Sequence, residues 1–396
     1  MPYSVSSSFV DGVSSNCFAP LRKFTIGTSD YSAFVAKWPK IKRQWNQIRP
    51  KDMTLTVANE DKTFNFMLAD KTFLNTQCKV ELGITHAVGS EETIEMFSGT
   101  IEKLSFSRGA VAITLMDKTK PFAEKLIGTN DNPVDYTGSN YLVSDLAWYV
   151  CTSHGGFSAV ESTSNPDIDY SSFLEWSAIF SDNNVLVHAL YDGVKVADAL
   201  QRLGRYTDSS IIEEDGKLRF YRWTEASSNQ VVLDNPQIID ASLLIDDAEI
   251  LNRQYVYGDY DVNSNYWKIA AFDQNTSSVN SFGLHTELLR DRTIWYVDSQ
   301  STLNMAQRLI FTNAEPYEQY KVKTTLAPVY QQIGDTIKVT DDQLDEFGGA
   351  FRLMGYELNL DTLSMSIDLD NSRFSDAFRL DHATLGLLDQ SNNPLL

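Results

Sequence analysis

The residues best placed to do chemistry are Cys151 and His154, with Gly155 and Gly156 directly behind them. A thiol near an imidazole could act as an activated nucleophile, and two glycine N–H groups could stabilise the charge it creates. Catalytic Cys–His pairs are usually distant in sequence and joined by the fold. The short spacing therefore favours Cys151 capping the apolar face of a helix and His154 opening its exit loop. Carboxylates cluster at Asp167/Asp169, at Asp246/Asp247 and at Asp341/Asp342/Asp345/Glu346. A glycosidase needs two carboxylates flanking a cleft, but among 53 acidic residues such neighbours arise by chance. The run from Asp341 to Gly349 has its acids and glycine at the wrong offsets for a calcium loop. Solvated loops are the favoured reading, with weak calcium binding behind it.

Histidines at 86, 154, 188, 285 and 382 form no His-x-x-x-His pair. The chain has no phosphate-cradling glycine loop, dinucleotide fingerprint or nucleophile elbow. No catalytic, cofactor-binding or metal-ligating residue is assigned, no cofactor is expected, and the chain is read as a non-enzyme. Acids exceed the 33 basic residues to give a formal charge of −20, which repels nucleic-acid phosphates. The compact basic run Lys40-Ile41-Lys42-Arg43, followed by Trp45 and Arg49, reads as a solvated face or an interface edge. Cys17, Cys78 and Cys151 are too sparse for a disulfide framework or a zinc site and fit a reducing cytoplasm. No stretch is apolar enough to span a membrane, and the Ser-rich start lacks a signal peptide's basic and apolar regions.

The elements that must position these residues are mostly strands. Met53, Leu55 and Val57, then Cys78, Val80, Leu82 and Ile84, then Val111, Ile113 and Leu115 alternate with polar neighbours, the mark of half-buried strands. Near Gly99 the phase slips, which a bulge or bend at that glycine would explain. Leu142, Val143, Leu146, Tyr149 and Val150 lie at helical spacing. So do Val196, Ala197, Leu200 and Leu203, in a helix expected to stop at Gly204. In the hairpin that follows, a two-residue Asp215-Gly216 turn would set Glu213 opposite Leu218. A three-residue loop pairing Glu213 with Lys217 avoids that conflict and is preferred, with Gly216 left-handed. Gly216→Val is accordingly expected to do more damage than Gly109→Val. Strands return at Tyr255–Gly258, Ile333–Val339, Phe351–Leu360 (phase broken at Gly355) and Met365–Leu369, around a short helix over Leu303–Phe311. Strand residues are expected to outnumber helical ones at least twofold. The expected organisation is an arm (1–20), a first β-barrel (21–128), a mixed helix and hairpin domain (129–235), a second β-barrel (236–375) and a tail (376–396).

Three stretches resemble the baseplate or central tail hub proteins of tailed phages and contractile injection systems. Phe97-Ser98-Gly99-Thr100-Ile101-Glu102-Lys103-Leu104, continuing to Asp117-Lys118, is similar to the strand pair of the first hub barrel. Val196–Gly204 leading to Asp215–Phe220 resembles the helix and hairpin of the hub middle domain. Ile333–Val339 with the later strands resembles the closing barrel. Together they cover about half the chain in the expected order. The resemblance implies a mainly β chain with minor α, in which two tube-like antiparallel barrels flank a mixed domain. It implies a structural virion protein of the tail, assembled in the host cytoplasm, whose homotrimer adapts a sixfold tail tube to a threefold tip. The partners implied are the tail tube or distal tail protein and tip, fibre or tape-measure proteins. DNA would pass through the lumen without specific binding. The alternatives are a receptor-binding or fibre-attachment protein and a virion-associated glycan hydrolase.

Overall fold

The computed structural model describes residues 5–14, 19–45, 48, 53–85, 90–129, 131–182, 185–207, 209–214, 216–222, 231–246, 250–314, 316–340, 349–370, 387–388 and 394–395. Among these, 47% lie in strands and 26% in helices, so the chain is mainly β with two curled half-barrel sheets. The strand excess falls short of the expected twofold because helix Tyr170–Asp182 was not expected and helix Ser299–Asn313 is longer than the Leu303–Phe311 pattern suggested.

The first sheet is antiparallel and runs in the order Ser29–Asp30, Ala19–Ile26, Gln77–Thr85, Glu91–Ser107, Ala110–Asp117, Met53–Ala58, Val35–Lys37. Strict alternation in Met53–Ala58 and Ala110–Asp117 buries Leu55, Val57, Val111, Ile113 and Leu115 on one face. The phase slip does not lie at Gly99. Met96 is the extra residue, facing the step between Val80 and Glu81, and a second bulge falls at Glu102. Gly99 serves close approach instead, since a Cβ there would stand 2.2 Å from the Met116 carbonyl oxygen.

The second sheet runs Val231–Leu233, Thr336–Val339, Gly349–Asn359, Ser364–Asp370, Tyr317–Thr324, Ile238–Asp246. Its phase break is a bulge at Met354, beside the expected Gly355. A seventh strand, Lys40–Gln44, leaves the first sheet's stretch of sequence and pairs antiparallel with Gly349–Asn359. Burial joins the two sheets into one core, in which Phe24, Val80 and Ile113 belong to the same cluster as Val322, Leu353 and Ile367.

A second core holds helices Val143–Tyr149, Tyr170–Asp182 and Val196–Thr207 with the hairpin Ser209–Glu214/Lys217–Arg222. The helix expected to stop at Gly204 runs on to Thr207, because Tyr206 and Thr207 are buried. Val256, Leu289, Tyr296 and Met305, in a stretch assigned by sequence to the second barrel, pack into this middle core. They come from a three-stranded sheet (Tyr266–Gln274, Arg253–Asp261, Thr286–Leu289), from strand Ile294–Tyr296 and from helix Ser299–Asn313.

Candidate assembly site at the sheet junction

The hairpin register is the two-residue one, with Glu213 opposite Leu218 and Glu214 opposite Lys217. One face of the hairpin was expected to be wet, yet both faces are at least partly covered. Glu213 lies mostly covered opposite Leu218, and its contacts with Arg43 remove the conflict. Arg43 Nη1 is 3.0 Å from Glu213 Oε2 and also donates to the Glu213 carbonyl, while Nη2 donates to the Met96 carbonyl. The Gly216 N–H donates to Glu213 Oε1 at 2.9 Å, holding the turn, and Gly216 has φ +70°. Burial, then the nearby Asp117 carboxylate and its hydrogen bond, push the Glu213 carboxyl up to about 8, against the opposing pull of Arg43.

Glu214 is fully buried and accepts hydrogen bonds from Arg219 Nη1 (2.9 Å) and the Tyr221 hydroxyl (2.7 Å). Tyr221 Oη also reaches Gln332, on the segment entering the second sheet, at 3.4 Å. One polar seam therefore ties the crossing strand, the first sheet, the hairpin and the second sheet together. The basic run is part of it. Besides Arg43, Lys40 pairs with Glu357 at 2.7 Å, and the Arg352 guanidinium lies 4.4 Å over the Trp45 ring. That run is an interface within the chain, and no isolated signal in the sequence names its distant partners. Arg49 lies outside the described residues.

The remaining sequence candidates have structural duties or fall outside the described residues. Cys151 is buried in the middle core, where desolvation pushes its thiol far up and away from the reactive thiolate. His154 Nε2 shares a 2.7 Å hydrogen bond with the Tyr136 hydroxyl, and burial lowers its pKa. Asp167 pairs with Lys118 at 3.2 Å and accepts from the Ser158 N–H. Asp169 pairs with Arg219 Nε at 2.8 Å. Neither carboxylate is the solvated loop residue the sequence favoured. Cys17, His86, Asp247, His382 and the 341–346 acid cluster lie outside the described residues.

Exposed apolar surface gathers at a sheet edge. Strand Ile238–Asp246 pairs on one side only among the described residues and exposes Ile239, Leu244 and Ile245 by 55%, 49% and 55%. An open, apolar edge of this length is a template for pairing with another chain.

The same architecture occurs in solved structures. The 43 kDa tail protein of prophage MuSo2 from Shewanella oneidensis aligns over 89% of this chain and 98% of its own, with 12% identity and a TM-score of 0.54. The tail protein from Neisseria meningitidis aligns over 89% and 97%, with 13% identity and a TM-score of 0.57. The fold is that of phage tail proteins. Prophage tail protein gp18 from Listeria monocytogenes shares this tail-protein fold over 89% of this chain and 95% of its own, with 14% identity and a TM-score of 0.50. No family model and no curated protein sequence matches the chain.

Proposed function

We propose that this chain is a structural, non-enzymatic component of a phage tail. In this reading it is a hub whose homotrimer adapts a sixfold tube to a threefold tip and resides in the virion. The observation that carries the reading is the presence of two seven-stranded curled sheets in one chain, joined by the 40–44 crossing strand. Three copies would present six such sheets around one axis, and closed cyclic symmetry would stop runaway polymerisation. The polar seam supports a rigid spatial relation between the sheets. The open apolar edge at Ile238–Asp246 is a surface suited to burial against a neighbouring copy or a tail protein.

No helix among the described residues is long and apolar enough to cross a membrane. The net charge of −20 disfavours retention of DNA moving past the protein. Quantitative peptide mass spectrometry of purified virions tests the copy number. Three copies per tail, against a tube protein present in multiples of six, is the expected result. Six copies, or absence from tail-containing particles, would contradict it.

A further inference from the structure

A concavity of about 320 Å³ beside the three-stranded sheet is lined by Trp267, Arg290 and Arg292. Both arginines are exposed, and neither has an ion-pair or hydrogen-bond partner among the described residues. Lone cations occur elsewhere on the surface, but here two guanidiniums line the same concavity. Asp291, between the two, turns to Arg202 at 2.5 Å and accepts from the Thr293 N–H. Glu287 is held by Arg205 at 2.9 Å, and Asp259 lies 3.5 Å from Lys268. These three carboxylates each have their own cation, leaving two guanidiniums at one cavity without a counter-anion among the described residues.

The third lining residue, Trp267, rests on an aromatic cluster. Trp267 packs 4.6 Å from Tyr260 and 6.3 Å from the buried Trp295, and the Arg292 guanidinium stands 5.6 Å over the Tyr260 ring. The Trp295 Nε1–H, though buried, has no hydrogen-bond acceptor among the described residues. The hub reading uses none of these groups.

We infer that this concavity binds a carboxylated saccharide, with Arg290 and Arg292 taking the sugar carboxylate and the Trp267 ring lying along the sugar's apolar face. Guanidinium matches carboxylate geometrically, through paired N–H donors. The volume lies at the small end of ligand pockets and holds one or two rings. Inorganic phosphate would satisfy the arginines but leave the tryptophan unused, and the net negative chain repels long polyanions. The inference concerns a binding activity beyond the hub role and stands or falls separately from it.

The test is calorimetric titration of the full chain with trigalacturonate, alongside its methyl ester, inorganic phosphate and a glutamate-rich peptide. Saturable binding of trigalacturonate is expected. The methyl ester, which keeps the rings and loses the charge, should bind about tenfold or more weakly, as should trigalacturonate to the double variant Arg290→Gln/Arg292→Gln. Saturation-transfer NMR should show the sugar ring protons in contact with the protein, with the signal reduced in Trp267→Phe. Both arginines are exposed, so the double variant should keep the parent's melting temperature. Absence of saturable binding, equal binding of the ester, an unchanged affinity in the double variant, or equally tight binding of phosphate or peptide would each overturn the inference.

Discussion

Glu213 shows what a single residue does here that alternation cannot reveal. Its partners Arg43 and Asp117 come from distant elements, so a rule about which face is wet gave the wrong hairpin register. Its folded-state pKa, pushed up to about 8, lies above the ordinary carboxyl value. The folded protein therefore holds this proton more tightly than the unfolded chain. That contribution is fully present below about pH 4.5 and is lost as pH rises through about 8. The parent protein should lose thermal stability across this window, and Glu213→Gln should flatten the loss. An identical pH slope in parent and variant, measured by calorimetry, would show that Glu213 does not titrate there. Arg43→Ala removes hydrogen bonds to the Glu213 carboxyl and to the Glu213 and Met96 carbonyls and should cost about 1–3 kcal/mol in denaturant unfolding. A cost near zero would mark the pair as incidental. Cys151, by contrast, was legible: its burial at the end of an apolar helix face follows from the spacing of Leu142, Leu146 and Val150.

At the scale of elements, period-two strands and the 143–149 helix were legible because their apolar residues repeat locally. The helix over Tyr170–Asp182 was missed, although Phe173, Trp176 and Phe180 carry a usable i, i+3, i+7 signal among its serines. The crossing of Lys40–Gln44 into the second sheet could not be read at all, since strand partners more than 300 residues apart leave no local trace. Ile41→Pro removes an N–H from this strand opposite Leu358 and should destabilise the protein by about 3 kcal/mol. Amide hydrogen exchange should quicken at residues 355–359 as well as around 41, whereas exchange changed only near 41 would argue against the crossing. Turn chemistry also differs from the sequence expectation. Gly109 and Gly216 both have positive φ, +80° and +70°, so valine should strain both turns by about 1–3 kcal/mol. Melting temperatures of the two variants should fall by similar amounts, and a fall in only one would contradict this.

For the molecule as a whole, the mainly β class was visible in the sequence, while the shared core of the two sheets was not. Alternation reports one buried face per strand and is silent about which sheet covers that face. In the proposed hub role the sharing matters, because two sheets with one core and a buried polar seam behave as a rigid pair that could present a fixed angular offset to a tube. The middle core is enlarged by Val256, Leu289 and Met305. The net charge of −20 must be managed wherever copies meet, and an interface through the apolar Ile238–Asp246 edge would keep like charges at its rim. The central claim is that three copies of this chain, each contributing two sheets, close a ring coaxial with the tail. The most direct measurement is an electron cryo-microscopy reconstruction of the intact virion tail tip, with this chain located in the density. The account predicts three copies whose six curled sheets surround the axis below a sixfold tube. Six copies in the ring, or density for this chain only on peripheral fibres, would contradict it.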